Sequence, residues 1–284
     1  MMKLQTSVEI TPMDEKSKIT YADKILFMGS CFATEVGTIM REYGFDIMLN
    51  PFGVLYNPAS ISSSIERLST GDLFSEGDVI CSQGRYTSFF HHSSFSRDTA
   101  EDFLDNANKS LAADSASFSE INTCIVTLGT SWVFRHIKRD IIVSNCHKIV
   151  PQEFRRERLS FEDITSMLGE IISSFPCRKW IFTVSPIRHL KDGAHGNQLS
   201  KATLLVAIEQ LQERFGNVFY FPAYEIMMDE LRDYRFYAEN MTHPSPQAVR
   251  YIFEQFTRYA ISESEFAKMA LAEKELKAGR HRLL

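Results

Sequence analysis

Lys24-Ile25-Leu26-Phe27-Met28-Gly29-Ser30-Cys31-Phe32-Ala33 is the stretch from which the rest of this chain can be laid out. Ile25 to Met28 is a short apolar run closed by a turn residue, the pattern of a buried strand. Gly29 permits a tight turn, and after Ser30 the apolar residues fall at helical spacing through Val36, Ile39 and Met40, up to Gly44. Ser30 therefore stands where a strand hands over to a helix. In an open parallel sheet that is the carboxyl edge, where ligands collect and where helix-opening amides carry partial positive charge. A serine there has two readings, a nucleophile or the N-cap of its own helix.

Working outward, four more apolar runs read as strands: Phe45 to Leu49, Asn122 to Leu128, Trp180 to Val184 and Val218 to Phe221. Helical patterns lie near Ala33 to Tyr43, Ser60 to Leu68, Phe161 to Phe175, Leu199 to Phe215 and Ser245 to Ala260. This alternation predicts an α/β protein, a three-layer α/β/α sandwich around a mostly parallel sheet. Two connections exceed simple crossovers. The first, about Gly71 to Glu120, carries Phe74, Phe89, Phe90, Phe95 and Phe103 with His91 and His92, and reads as a flap over the sheet edge or as a satellite core. The second, Trp132 to Val143, reads as a β-hairpin turning at Lys138-Arg139-Asp140. One domain is expected, with its core over about 19–260 and a charged, solvated helical extension over 261–284 that ends in Lys277, Arg280, His281 and Arg282.

Composition narrows the function classes. The 284 residues are 44% hydrophobic and 24% charged, and 31 basic residues against 36 acidic ones leave a net charge of −5. That balance gives no electrostatic footprint for nucleic acid. Cys31, Cys81, Cys124, Cys146 and Cys177 are odd in number and form no C-x-x-C pair, so neither a disulfide framework nor a zinc site is signalled. Met1 to Lys24 is polar, and no segment approaches the roughly 18 apolar residues of a membrane span. No membrane partner and cytoplasmic residence are the expectations.

Polar loops follow most of the strands. Asn50-Pro51-Phe52-Gly53 and Tyr56-Asn57-Pro58 carry turn chemistry, and the Gly53 amide is also a candidate to meet a substrate oxygen. Gly129 and Thr130 are expected at the same sheet edge as Ser30, as oxyanion donors or as a bend into the hairpin. Ser144-Asn145-Cys146-His147-Lys148 reads as a pocket wall or a hydrogen-bonded loop. Ser185 to Asn197 is the densest polar loop, and its Arg188, His189, Asp192 and His195 suit an anionic or polyhydroxyl ligand, or form a solvated loop. A metal at His189, Asp192 and His195 is a third reading of that loop, supported by spacing alone. Near the end, Asn240-Met241-Thr242-His243-Pro244-Ser245 precedes a helix that Ser245 can cap.

Gly29-Ser30-Cys31-Phe32-Ala33 resembles the signature of the GSCFA family. Asn50-Pro51-Phe52-Gly53, Thr127-Leu128-Gly129-Thr130, Asn145-Cys146-His147-Lys148, Ser185-Pro186-Ile187-Arg188-His189 and His243-Pro244-Ser245 are similar to its later blocks in the same order, over about 19–260. That family in turn resembles the SGNH, or GDSL-like, hydrolases. The resemblance implies a flavodoxin-like sandwich with a five-stranded sheet, Ser30 as nucleophile and His243 as general base. It also implies an oxyanion site from the amides of Ser30 and Gly53 and a donor of the Gly129-Thr130 block, with no cofactor. Two positions depart from the pattern. Asn240 stands three residues before His243, where those hydrolases carry aspartate, and Glu239 and Asp192 are the alternative acids. Thr130 stands nearest the place of an asparagine, with Asn50, Asn57 and Asn145 as substitutes.

These readings converge on a serine esterase acting on an O-acyl group of a carbohydrate or other polar small molecule. The alternatives are a non-catalytic module binding a saccharide or anion on the same scaffold, which Asn240 favours, and a metal-dependent hydrolase.

Overall fold

Parallel strands buried on both faces read as continuous apolar runs, and that is how the central strands of this protein are built. The computed structural model describes residues 6–281, with side chains to residue 278. The first five residues of the polar N-terminal stretch, the side chains of Arg280 and His281, and Arg282 lie outside the described residues. Five strands, β1 (Lys24–Gly29), β2 (Asp46–Leu49), β5 (Thr123–Leu128), β9 (Lys179–Val184) and β10 (Val218–Tyr220), form one sheet in the order β10-β9-β5-β1-β2. All its pairings are parallel. That is the flavodoxin-like order, and the direction of winding reverses between β1 and β5.

Alternate side chains of each strand enter two separate cores. Leu26, Met28, Val126, Leu128, Phe182 and Val184 pack against α2 (Pro58–Thr70), α3 (Ala100–Phe118), α4 (Phe161–Ser174) and α5 (Gly193–Arg214). Ile25, Phe27, Ile125 and Ile181 pack against α1 (Cys31–Glu42) and α7 (Pro246–Ala260). The result is a three-layer α/β/α sandwich. Between β10 and α7 the chain runs through a short turn α6 (Ala223–Glu225) and a π-helical turn over Ile226–Glu230.

Both long connections are folded. The first holds an antiparallel hairpin, β3 (Val79–Ser82) with β4 (Arg85–Ser88), and then the 19-residue α3, which the sequence reading does not anticipate. Phe74, Phe89 and Phe103 are buried, so the segment extends the core rather than hanging as a flap. The second holds β6 (Trp132–His136), β7 (Ile141–Val143) and β8 (Phe154–Arg158), the expected hairpin widened to three strands by β8. At the C-terminal end α8 (Phe266–His281) buries Met269 and exposes Leu271.

The two ends of the folded unit are clasped together. Met13 and Ile19 donate their amides to the carbonyls of Tyr259 and Ala260 at 3.0 and 2.7 Å, and Ser262 donates back to Ile19 at 2.9 Å. Ile19 and Ile261 pair as a parallel bridge, and both are fully buried.

Candidate active site

The register levels Gly29 of β1 with Thr127 of β5 and Thr183 of β9, so the residues that follow these strands share one edge. Gly29 has φ 141, and a Cβ there would lie 2.2 Å from the Thr127 carbonyl oxygen. Only glycine lets β1 and β5 close this tightly at the turn. Ser30 follows with extended backbone in the N-cap position of α1, yet its side chain makes no capping bond. Its Oγ donates instead to Ser185 Oγ at 3.0 Å, and both serines are fully buried. The first-turn amides of α1 are left without a side-chain cap, their positive end at the point where the sheet reverses its winding.

The loop after β2 wraps over this edge and is consumed in holding it. Asn50 takes a left-handed φ of 45, accepts from the Gly29 amide at 2.9 Å and donates to Thr34 Oγ1 at 2.8 Å. The Gly53 amide donates to Asn50 O at 2.7 Å, closing a turn, and the space above Gly53 is filled by His92. Asn57 Oδ1 caps α2 by accepting from the Ser60 amide at 2.8 Å. Tyr56 O accepts from the amides of both Gly129 and Thr130, at 2.7 and 3.0 Å. Thr130 Oγ1 lies 3.0 Å from Ser200 Oγ and accepts from the Trp132 amide. Gly53, Gly129 and Thr130 thus stand beside the site with their expected donors already committed. Asn145 lies further out, its Oδ1 accepting from the His147 amide and its own amide donating to Phe89 O, so that block is a hydrogen-bonded loop.

The segment after β9 supplies the floor. Ser185 Oγ also accepts from the Ile187 amide at 3.3 Å. Lys201, on α5, is 1% exposed and donates to the carbonyls of Ser185 and Gly129, each at 2.7 Å. Burial without an acidic partner pulls its ammonium down to about 7. His189 turns toward Gly129 and meets the Tyr56 ring edge-on at a centroid distance of 5.9 Å, while its buried Nε2 has no partner. Burial first, and then the charges of Lys201, His243 and Arg156, push its imidazole down to about 4, so it is neutral at pH 7. Arg188 points the other way, against Met228 Sδ and the Tyr237 ring. Among the described residues it has no carboxylate partner.

The His243 loop docks on this segment through the Arg188 amide, which donates to Thr242 O at 3.1 Å. Asn240 Oδ1 accepts from the amides of Thr242 and His243, both at 3.0 Å, and from Thr242 Oγ1. Because amides only donate, this fixes which end of the Asn240 side chain is the oxygen. Its Nδ2 then faces His243 Nδ1 at 2.8 Å, with Thr242 Oγ1 at 3.1 Å from the same nitrogen. With a donor as its nearest neighbour Nδ1 accepts, and the ring proton sits on Nε2. No hydrogen bond joins His243 to Ser30 among the described residues.

The other ionisable groups do not converge here. Asp192 is ion-paired with Arg156, Glu239 is exposed, and His195 is exposed on the first turn of α5. The described residues hold no group of three or more His, Cys, Asp or Glu able to bind a metal, and no helix long and apolar enough to cross a membrane. A cavity of about 470 Å³ lies at the far end of α1, between Tyr43, Phe253, Phe266 and Met269, away from Ser30.

The sequence profile of the GSCFA family matches residues 24–256, from the first residue of β1 into α7. The chain belongs to the GSCFA family. No curated protein and no solved structure gives a match. In this GSCFA protein the segments around Ser30, Asn50, Gly129 and Ser185 lie at one sheet edge, the His243 loop docks there through the Arg188 amide, and the segment at Asn145 braces the neighbouring loop. Ser185 was legible only as part of a polar loop, and Lys201 not at all.

Proposed function

We propose that this protein is a serine-dependent hydrolase of ester bonds, acting on an O-acyl group such as acetyl on a carbohydrate or other polar substrate through an acyl-enzyme on Ser30. The observation that carries the reading is that Ser30 occupies a cap position without capping, its hydroxyl turned to another hydroxyl at the switch point of the sheet. A resemblance to the SGNH hydrolases supports the ester as substrate. The unpaired Arg188 supports a polar or anionic one. Attack by Ser30 would place the developing oxyanion over the uncapped first turn of α1, where the helix end favours negative charge. His243, with its proton on Nε2, is set to donate to a substrate oxygen. Five free cysteines support a reducing compartment, and cytoplasmic residence is part of the proposal.

A binding module on the same scaffold is the second reading, favoured by Asn240, which leaves His243 without the carboxylate partner of a catalytic triad. Incubation with a fluorophosphonate probe separates the two. Covalent labelling of the wild type, absent in Ser30→Ala, is the expected result; a folded wild type that never labels overturns the hydrolase.

A further inference from the structure

Ser30 needs a proton acceptor, and the group it actually touches is Ser185. Ser185 Oγ receives two donors, the Ser30 hydroxyl and the Ile187 amide, which occupy both of its lone pairs. Its own O–H is then left to be given away. Lys201 Nζ is bonded to the main-chain carbonyl of that same residue and to Gly129 O, and among the described residues no hydrogen bond joins it to Ser185 Oγ in the resting site. A neutral amine has two N–H groups and one lone pair, so these two carbonyls satisfy its donors and leave the lone pair open. An ammonium would carry a third N–H into a site with no carboxylate in contact, a costly arrangement in a buried position.

We propose that Ser30 is activated through Ser185 by Lys201, with Ser185 the group that takes the Ser30 proton and Lys201 a positioning residue that acts through it. The inference rests on the serine-hydrolase reading. As the Ser30 Oγ–carbonyl carbon bond forms, the Ser30 proton passes to Ser185 Oγ and the Ser185 proton to Lys201 Nζ, giving a lysinium. When the ester C–O bond breaks, the proton returns along the same path to the departing oxygen. Water then enters in place of the alcohol and bonds to the acyl carbon as its proton passes by that route to Lys201; the Ser30 Oγ–acyl bond breaks, the proton returns through Ser185 to Ser30 Oγ, and the acid leaves.

The surroundings of Nζ contain no competing acid. Gly129 and Ser185 face it from the ends of β5 and β9. Tyr224 of α6 presents its ring at 5.7 Å, its phenol held above the ordinary range by burial. His189 from the loop is neutral at pH 7, and Asn197 and Ser200 on the same helix are uncharged. Arg156, which His189 senses, is neutralised by Asp192.

The test follows fluorophosphonate labelling of Ser30 in the full chain against pH. The wild-type rate should rise through a midpoint near 7, with Lys201 the titrating group. Ser185→Ala and Lys201→Met should each slow labelling by about a hundredfold or more, the scale of losing general-base assistance, and remove the midpoint. His243→Ala, whatever it does to the rate, should keep the midpoint near 7. The opposite pattern, with the midpoint lost in His243→Ala and both rate and midpoint kept in Lys201→Met, overturns the inference while leaving the hydrolase standing; an unlabelled wild type overturns both. Should Lys201→Met fail to fold, a ¹⁵N-lysine titration of the wild type decides: a Lys201 Nζ resonance that does not titrate between about pH 6 and 8 overturns the proposal, since a buried lysine acting here must change charge near neutrality.

Discussion

Asn240 grips His243 with an amide nitrogen, and a carboxylate in its place would reverse the donor and acceptor at Nδ1. Asn240→Asp keeps the size of the side chain and lets one oxygen retain the amides of Thr242 and His243. The other oxygen would accept from Nδ1. Imidazole ¹⁵N spectra should therefore show the Nε2–H tautomer in the wild type and the Nδ1–H tautomer in the variant, and an unchanged spectrum would contradict the assigned orientation. His91 makes a second prediction. It lies 1% exposed among Phe52, Phe74, Phe95 and Phe103, with Nδ1 against Ser88 Oγ. Burial, then the charges of Arg67 and His147, push its imidazole down to about 3. Between about pH 6.5, where an unfolded histidine titrates, and the folded value, the unfolded chain binds the extra proton, so stability falls as pH falls. His189 contributes in the same direction down to about 4. Urea midpoints should drop from pH 7 to pH 5, and His91→Phe should flatten that slope. Neither His91 nor Lys201 could be placed from sequence: a histidine in a long loop and a lysine in a polar helix each have many solvated counterparts.

At the scale of elements, the five strands and the helices α1, α2, α4 and α7 were legible because apolar runs and helical spacing repeat without interruption. α3 was not, although Phe103, Ala107 and Leu111 recur every fourth residue. Its other faces are rich in Asp, Ser, Asn and Ala, and the aromatic residues before it suggested a loop. α5 begins at Gly193, inside what read as polar loop, because glycines and a histidine at its start hide the helical period. The candidate site was legible as a set of loops at one edge. Which atoms bond within it was not, since Asn50, Gly53 and Thr130 have donors and acceptors that serve a turn as readily as a ligand. The junction of β1 and β5 carries its own prediction. Gly29→Ala places a methyl carbon against the Thr127 carbonyl in a backbone conformation that L-residues rarely adopt. The cost should be about 3 kcal/mol or more, from overpacking and strain together, read as a lower urea midpoint or loss of folded protein.

The molecule as a whole is larger than the segment the family profile covers. Trimming the chain to residues 24–256 would remove Met13 and Ile19 together with Tyr259, Ala260 and Ile261, all buried. Each fully buried large apolar side chain contributes about 1.5–3 kcal/mol, comparable in sum with the net stability of a typical domain. The trimmed chain should therefore lack a cooperative thermal transition, whereas one spanning 13–265 should retain it; circular dichroism on the two decides. The same clasp sets Met13 beside Tyr259 and Ser262 beside Ile19, so the backbone path is nearly a closed ring. A ring can be opened elsewhere. Joining those ends with a short linker and starting the chain at the exposed hairpin turn of Gly84, where nothing packs within 4 Å, would give a circular permutant in which the Ser30 edge is unchanged and the new termini lie on the β3–β4 hairpin.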